Sequence, residues 1–290
     1  MMRLAFESLA KGEAQNQPRR RLVLPTGSVL HSLAGAYGNY FGTKIYSTHP
    51  QHGAYFLFVL YDAKTANPLA LMEANYLGQI RTGAASGYAT DLMANPVARV
   101  LGIIGSGFQA HTQLEAMRAV RPIAEARVWS RNPEKRRKFA QELGVTESAT
   151  AEDAVRGADI IVTATNAKDP VVEDGWIGPG VHVNAMGSNI ASRRELPAGL
   201  IRRANMIAVD ALDQARIEAG ELILADHWAN VVELKDLRRT YDPARITIFK
   251  SIGLGLEDVA AGGFVYEAAI RDNAGTPIPA RPADRNPATH

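Results

Sequence analysis

Two glycines pose the first chemical question. Gly105 and Gly107 stand two apart in VLGIIGSGFQAHTQLEA (100–116), with Ala110 three positions further on. In a G-x-G-x-x-G/A turn the first glycine makes the tight turn and the second lets the backbone approach a pyrophosphate. The third position needs only a small side chain for helix-on-strand packing, a requirement Ala110 meets. A helix starting there would offer free N–H groups and a positive dipole end to phosphates. Alone the motif is weak; an apolar strand before it and an amphipathic helix after it make it a dinucleotide site. The next strand bears on the choice of cofactor. An NAD site usually carries an acid about 20 residues after the motif. Here VWSRNPEKRR presents Ser130, Arg131 and Asn132 and no carboxylate at the strand end. An acid would repel a 2′-phosphate, whereas Arg131 can pair with one and Ser130 and Asn132 can donate hydrogen bonds. NADP(H) is the favoured expectation and NAD(H) stays open.

Composition narrows the other classes. The 290 residues suffice for one large domain or two ordinary ones, and 46% are apolar, enough for a sizeable core. A formal net charge of +2 gives no reason to expect a nucleic-acid partner. There is no cysteine, which excludes disulfides and thiol chemistry and is compatible with the cytoplasm, the expected location. The first residues lack a signal-peptide pattern, and no apolar run approaches the roughly 20 residues of a membrane span. No metal is expected: His49 and His52 are three apart in a turn-like HPQH stretch without a third candidate ligand.

The elements that must position these residues follow from periodicity. AYFLFVLY (54–61) and PLALMEA, joined by the turn-rich DAKTANP, read as a hairpin. IRTGAASGYATDLMA reads as a helix with Ile80, Ala84, Tyr88 and Leu92 on one face, stopped by Asn95-Pro96. From there strands and helices alternate. ARVLGII, EARVWS, DIIVTAT, VHVNAMG, MIAVD and RITIFKS are strands. NPEKRRKFAQEL is a helix capped by Asn132 with Pro133 at its first position, and Thr150 and Asp153 have capping-box spacing. Such alternation implies an α/β fold, a Rossmann-type doubly wound parallel sheet. We expect this dinucleotide-binding domain over residues 94–255. A strand-rich α+β substrate and dimerisation domain would take 1–93 plus 256–290, with the helix GLEDVAAGGFVYEAAIR returning to it. The proline-rich tail TPIPARPADRNPATH looks loose. Ligands bind outside the carboxyl ends of such strands, which places the site in the cleft between the two regions.

The turn GSGFQA, with Gln109 before Ala110, resembles that of the ornithine cyclodeaminase/mu-crystallin family, which also holds archaeal-type alanine dehydrogenases and ketimine reductases. Further similar stretches follow in the family's order: RLVLP (21–25), FGTKIYSTHP (41–50), IRTGAAS (80–86), VWSRN, RIEAGEL (216–222) and ITIFKSIGLGLEDVAA (246–261). The resemblance implies a homodimer formed through the N-terminal region and a small amino or imino acid as substrate. It also implies that Arg21, Lys44 and Arg81 hold the substrate's carboxylate. Read alone, Arg21 in the run RRR and Lys44 are surface cations. Arg81 has support of its own: in the first turn of its predicted helix a cation would meet the positive dipole end, which makes sense if an anion lies between them. The family's acid/base aspartate falls at Glu221, a longer carboxylate that can still exchange a proton.

The cofactor set expected on this footing is Thr82, Gly105, Ser106, Gly107, Phe108, Gln109, Ala110, Ser130, Arg131, Asn132, Ala164, Thr165 and Ser251. Lys44 and Glu221 are the expected catalytic pair. Cyclodeaminases carry a further acid between the first arginine and the lysine. Here His31 or Ser32 falls there, and no Asp or Glu lies between Arg21 and Lys44. The expected activity is therefore NAD(P)H-dependent reduction of a small 2-imino acid, such as pyrroline-2-carboxylate or piperideine-2-carboxylate. The alternatives are ornithine cyclodeamination, an alanine-type amino-acid dehydrogenase, and an NADPH-binding protein without turnover.

Overall fold

The computed structural model describes residues 1–239 and 241–278. After helix α1 (Met2–Ala10), five strands form an antiparallel sheet in sequential order: β1 (Gln15–Val23), β2 (Val29–Tyr37), β3 (Tyr40–His49), β4 (Gly53–Asp62) and β5 (Pro68–Glu73). Helix α2 (Asn75–Met93) leads into the alternating part. There eight parallel strands follow: β6 (Val100–Ile104), β7 (Glu125–Trp129), β8 (Thr146–Glu147), β9 (Ile160–Thr163), β10 (His182–Ala185), β11 (Met206–Val209), β12 (Val231–Glu233) and β13 (Thr247–Lys250). Their spatial order is β12-β11-β13-β10-β9-β6-β7-β8. Among the helices between them are α3 (Phe108–Val120), α4 (Pro133–Leu143), α5 (Ala151–Val155), α6 (Ala198–Arg203), α7 (Leu212–Glu218) and α8 (Gly220–Ala225). Helix α9 (Gly255–Arg271) returns to the first sheet.

This is the expected α/β architecture. The order β8-β7-β6-β9-β10-β13 is that of a dinucleotide fold, with β11 and β12 added at one edge. The direction of winding reverses between β6 and β9, which opens a crevice at their carboxyl ends. The predicted caps also form: the Asn132 side chain accepts from the Lys135 N–H, and Thr150 and Asp153 make the reciprocal capping box. Residues 279–290 of the proline-rich tail lie outside the described residues.

Strand alternation sorts the antiparallel sheet into two faces. Arg21, His31, Tyr46 and Phe56 form one cross-strand row, and Leu33, Lys44, Phe58 and Met72 another on the same face. The intervening row, Ser32, Ile45 and Leu57, points the other way. Helix α9 covers the first face at close range. A Cβ on Gly35 of β2 would overlap the backbone of Leu256, and one on Gly255 would overlap that of Ala34.

Helix α2 differs from expectation in two respects. It starts at Asn75, so Arg81 lies in the second turn, beyond the reach of the terminal dipole. The helix is also buried on most sides rather than along the predicted stripe. Ile80 is exposed, while Leu77, Thr82, Ala85, Ser86, Ala89 and Met93 are buried. The cause is that α2 packs against α3, α9 and the parallel sheet at once. Its inward side is therefore set by small residues: a Cβ on Gly83 would overlap the carbonyl of Thr112. No helix among the described residues is long and apolar enough to cross a membrane.

Candidate active site

A cleft of about 1800 Å³ runs from the carboxyl ends of the central parallel strands to the first face of the antiparallel sheet. Its two ends are built differently. At the sheet end the chain supplies backbone. Gly105 takes φ +116°, and a Cβ there would overlap the Ala164 carbonyl, so the turn requires glycine. Gly107 faces open space, and as N-cap of α3 it offers no side chain to the helix's first N–H groups. A dinucleotide fits these features: the open position beside Gly107 leaves room for phosphates, and the uncapped N–H groups are their donors. Ser106 Oγ lies 2.7 Å from Ser130 Oγ, joining the glycine turn to the end of β7. Arg131 reaches the Asn166 side chain at 3.4 Å, and Lys135 lines the same wall. Gln79 of α2 donates to the Phe108 carbonyl, and Thr112 donates back to the Gln79 carbonyl at 3.0 Å. These two bonds lock α2, and with it Arg81 and Thr82, beside the glycine turn.

The opposite end is built of charge. Lys44 is 2% exposed, and its Nζ donates to Asp258 Oδ1 at 2.7 Å. Arg81 donates to the same oxygen through Nε at 3.0 Å and to Glu257 Oε2 through Nη1 at 2.6 Å. Its Nη2 makes no hydrogen bond to protein among the described residues, and Arg81 lines the cleft. Glu218, from α7, binds both Arg19 and Arg21; the Arg21 contact is 2.6 Å. Arg19 also donates to the Ile252 carbonyl at 2.8 Å. His31 stacks flat on Tyr46, with centroids 4.2 Å apart, and Tyr46 stacks on Phe56.

The ionisation of this end follows from burial and partners. Burial and the Arg81 charge lower Lys44 to about 8, against the opposing pull of Asp258. Burial alone would depress Arg81, but Asp258 and Glu257 more than offset it and hold it charged. Burial, with Arg21 and Arg19 nearby, lowers His31 to about 4, so its ring is neutral at physiological pH. Burial and the facing Asp210 carboxylate raise Glu257.

Of the expected residues, Arg21, Lys44, Arg81, Thr82, Gly105, Ser106, Gly107, Phe108, Gln109, Ser130, Arg131, Asn132, Ala164, Thr165 and Ser251 all line this one cleft. Two do not. Ala110 is fully buried in the core beneath α3, where its small size serves packing alone. Glu221 sits in the first turn of α8 and points into the interior. There it accepts from the Glu195 N–H at 3.0 Å and pairs with Lys250 at 3.1 Å. The chain breaks between α7 and α8, so the carboxylate that reaches the cleft's cations is Glu218, three residues earlier. Glu218, Glu257, Asp258 and Arg19 escaped the sequence reading. Arg19 could have been found by alternation, because it shares a strand face with Arg21. Glu257 and Asp258, in the first turn of α9, read there as ordinary helix-start acids. His49 ends β3 with its ring against His52, away from the cleft wall. Among the described residues no group of three or more His, Asp or Glu is placed to hold a metal ion.

A parallel sheet with a glycine-turn crevice, facing a buried cluster of lysine and arginine, defines a dinucleotide-binding protein with a pocket for a small anion. The chain belongs to the ornithine cyclodeaminase/mu-crystallin family, whose model matches residues 1–273. It is 35% identical to a Delta(1)-pyrroline-2-carboxylate reductase of Bacillus cereus, over 91% of this chain and 86% of that one. It is 33% identical to an alanine dehydrogenase of Archaeoglobus fulgidus, over 94% and 90%. Among solved structures, the Thermococcus litoralis Delta(1)-pyrroline-2-carboxylate reductase, in complex with NADH and L-proline, superposes with a TM-score of 0.88 at 31% identity, over 96% of this chain and 94% of that one.

Proposed function

We propose that this protein is an NADP(H)-dependent reductase of small 2-imino acids. The carrying observation is that one cleft joins the glycine turn to the Lys44–Arg81 pair, which keeps N–H donors without protein partners among the described residues. When bound, the nicotinamide cofactor supplies the hydride. The chain's own residues do the rest. Arg81 Nη2 and the remaining Lys44 N–H groups receive the substrate carboxylate; Arg21 stands at the outer edge of the same row. Lys44, as ammonium, gives a proton to the imine nitrogen and is left as the neutral amine, which makes the imine carbon a better acceptor. The rings of His31, Tyr46 and Phe56 wall the pocket beside these cations and limit water there. Glu221 takes no part, because its carboxylate is committed to Lys250.

Cyclisation of a diamino acid fits less well. It calls for a carboxylate to manage a second amine, and Glu218, the carboxylate beside Arg21, is already held by two arginines. The end of β7 supports NADP(H): Ser130, Arg131, Asn132 and Lys135 face the cleft without an acid among them. We read residues 94–255 as the cofactor domain and the remainder as the substrate and dimerisation domain. The second face of the antiparallel sheet exposes Leu22, Leu30, Tyr55, Leu57 and Leu71, an apolar surface suited to a second copy of the chain. We place the protein in the cytoplasm.

The test is NADPH oxidation against pyrroline-2-carboxylate, piperideine-2-carboxylate, and pyruvate with an amine, with ornithine plus catalytic cofactor as the contrasting arm. Turnover of a cyclic imino acid is expected. Proline and ammonia from ornithine, or no oxidation across the panel with cofactor bound, would replace this reading.

A further inference from the structure

Every cation expected to meet the substrate already has a protein carboxylate beside it, and one of those carboxylates serves two of them. Asp258 Oδ1 accepts from Lys44 Nζ at 2.7 Å and from Arg81 Nε at 3.0 Å. The three groups come from three elements distant in sequence, β3, α2 and α9, and all are buried. Among the described residues Asp258 Oδ2 is buried without a partner, and the carboxylate's ion-pairing contacts are those two. Gly253, at φ +78°, packs under the Arg81 guanidinium; a Cβ there would overlap it. Arg81 is thus fixed from below by backbone and from the side by Asp258 and Glu257. Among the described residues Lys44 pairs with Asp258 alone.

We propose that Asp258 is a positioning residue for the reductase site: its carboxylate fixes the Lys44 ammonium and the Arg81 guanidinium side by side, and so sets the charge and spacing that the substrate meets. The proposal rests on the imino-acid reading only for the identity of that substrate. The division of labour on α9 is unequal. Glu257 orients Arg81 alone, whereas Asp258 also holds the Lys44 charge. The groups facing Lys44 are Arg81 from α2, Arg19 from β1 and Asp258 from α9. Glu257 and Asp210 stand beside Arg81, and Glu218 is paired to Arg19. Burial and both arginines push the Lys44 proton off; Asp258 opposes them. Without that carboxylate Lys44 would lose its proton at lower pH.

The experiment follows the Lys44 side chain by lysine-selective NMR titration in the full-length protein, assigned with Lys44→Met, beside pH profiles of kcat/KM. In the wild type Lys44 should titrate at about 8. In Asp258→Asn the titration should fall by about one unit or more, the usual size of a lost adjacent opposite charge. The alkaline limb of kcat/KM should move down with it. Glu257→Gln should leave the Lys44 titration in place while raising KM through Arg81. An unmoved Lys44 titration in Asp258→Asn, or an equal shift in Glu257→Gln, overturns the assignment. Should Asp258→Asn not fold, Asp258→Glu decides. With charge retained, Lys44 should titrate as in the wild type while kcat/KM falls roughly tenfold, about 1.4 kcal/mol of misplacement. Unchanged kcat/KM in that variant contradicts the positioning role. The NMR readout needs no substrate, so a panel without turnover would sink the functional reading and leave the Asp258 result interpretable.

Discussion

The two ends of the cleft solve the problem of holding an anion in opposite ways. The cofactor end uses backbone: an uncapped helix start, a glycine with open space beside it, and a second glycine in a conformation that other residues resist. The substrate end uses charge, with Arg19, Lys44 and Arg81 and the carboxylates of Glu218, Glu257 and Asp258 packed out of water and Arg21 at the rim. A backbone cradle is cheap to maintain, because the helix-start N–H groups lack partners in any case. A buried ionic cluster is costly to assemble and holds only while every member has a partner. The substrate end should therefore be the more fragile in mutation and the more sensitive to pH.

Substitutions that strike one end at a time expose the contrast. Arg81→Ala should have the largest effect. It removes a cleft-facing donor and leaves Glu257 and Asp258 without their partner, so kcat/KM should fall by roughly 10³-fold and stability by about 3–5 kcal/mol. Calorimetry and kinetics read the two losses, and NADPH fluorescence should show cofactor binding retained. Gly105→Ala is the counterpart at the cofactor end. With φ at +116° and the Ala164 carbonyl in the way, it should cost about 1–3 kcal/mol and weaken cofactor binding, which an equilibrium titration measures.

Arg131→Ala sharpens the cofactor reading. Losing a charge-assisted contact should weaken NADPH by roughly tenfold and leave NADH nearly unchanged. Equal loss for both would refer Arg131 to a structural role. The pH response comes next in size. With Lys44 as the proposed ammonium donor, kcat/KM should decline above about 8, close to tenfold per unit, as that proton leaves. His31, lowered to about 4, stays neutral across this range and adds no inflection there. The smallest effect on catalysis is expected from Glu221→Gln. It should change kcat/KM by less than about threefold yet lower the melting temperature, because Lys250 loses a buried partner.

The cofactor end was largely legible in the sequence, because its signals are local. Gly105, Gly107 and the strand end at Ser130–Asn132 lie within one β-α-β stretch, and their roles follow from spacing. Ala110 lies out of sight of the cleft because the small side chain that permits close packing is hidden by that packing. The substrate end resisted because its contacts join β1, β3, α2, α7 and α9, elements far apart in the chain. Lys44 and Arg81 are marked in the sequence by the family resemblance alone, because α2 starts at Asn75 and leaves Arg81 in its second turn, past the reach of the dipole. Their partners, Asp258 and Glu257, carry no local mark beyond a helix start. Glu221 falls at the family's aspartate position in the sequence, but the chain breaks between α7 and α8 and turns that carboxylate inward, leaving Glu218 beside the cations.

The central claim is that the Lys44–Arg81 cluster selects a carboxylate beside the cofactor. Its most direct test compares kcat/KM for pyrroline-2-carboxylate with that for the corresponding neutral carboxamide, in the wild type and in Arg81→Lys. The wild type should favour the carboxylate by about 10²-fold or more, the worth of a buried charge-assisted contact, and Arg81→Lys should lose most of that preference while binding NADPH normally. Equal rates for the two substrates in the wild type, or a preference untouched in Arg81→Lys, would contradict the account.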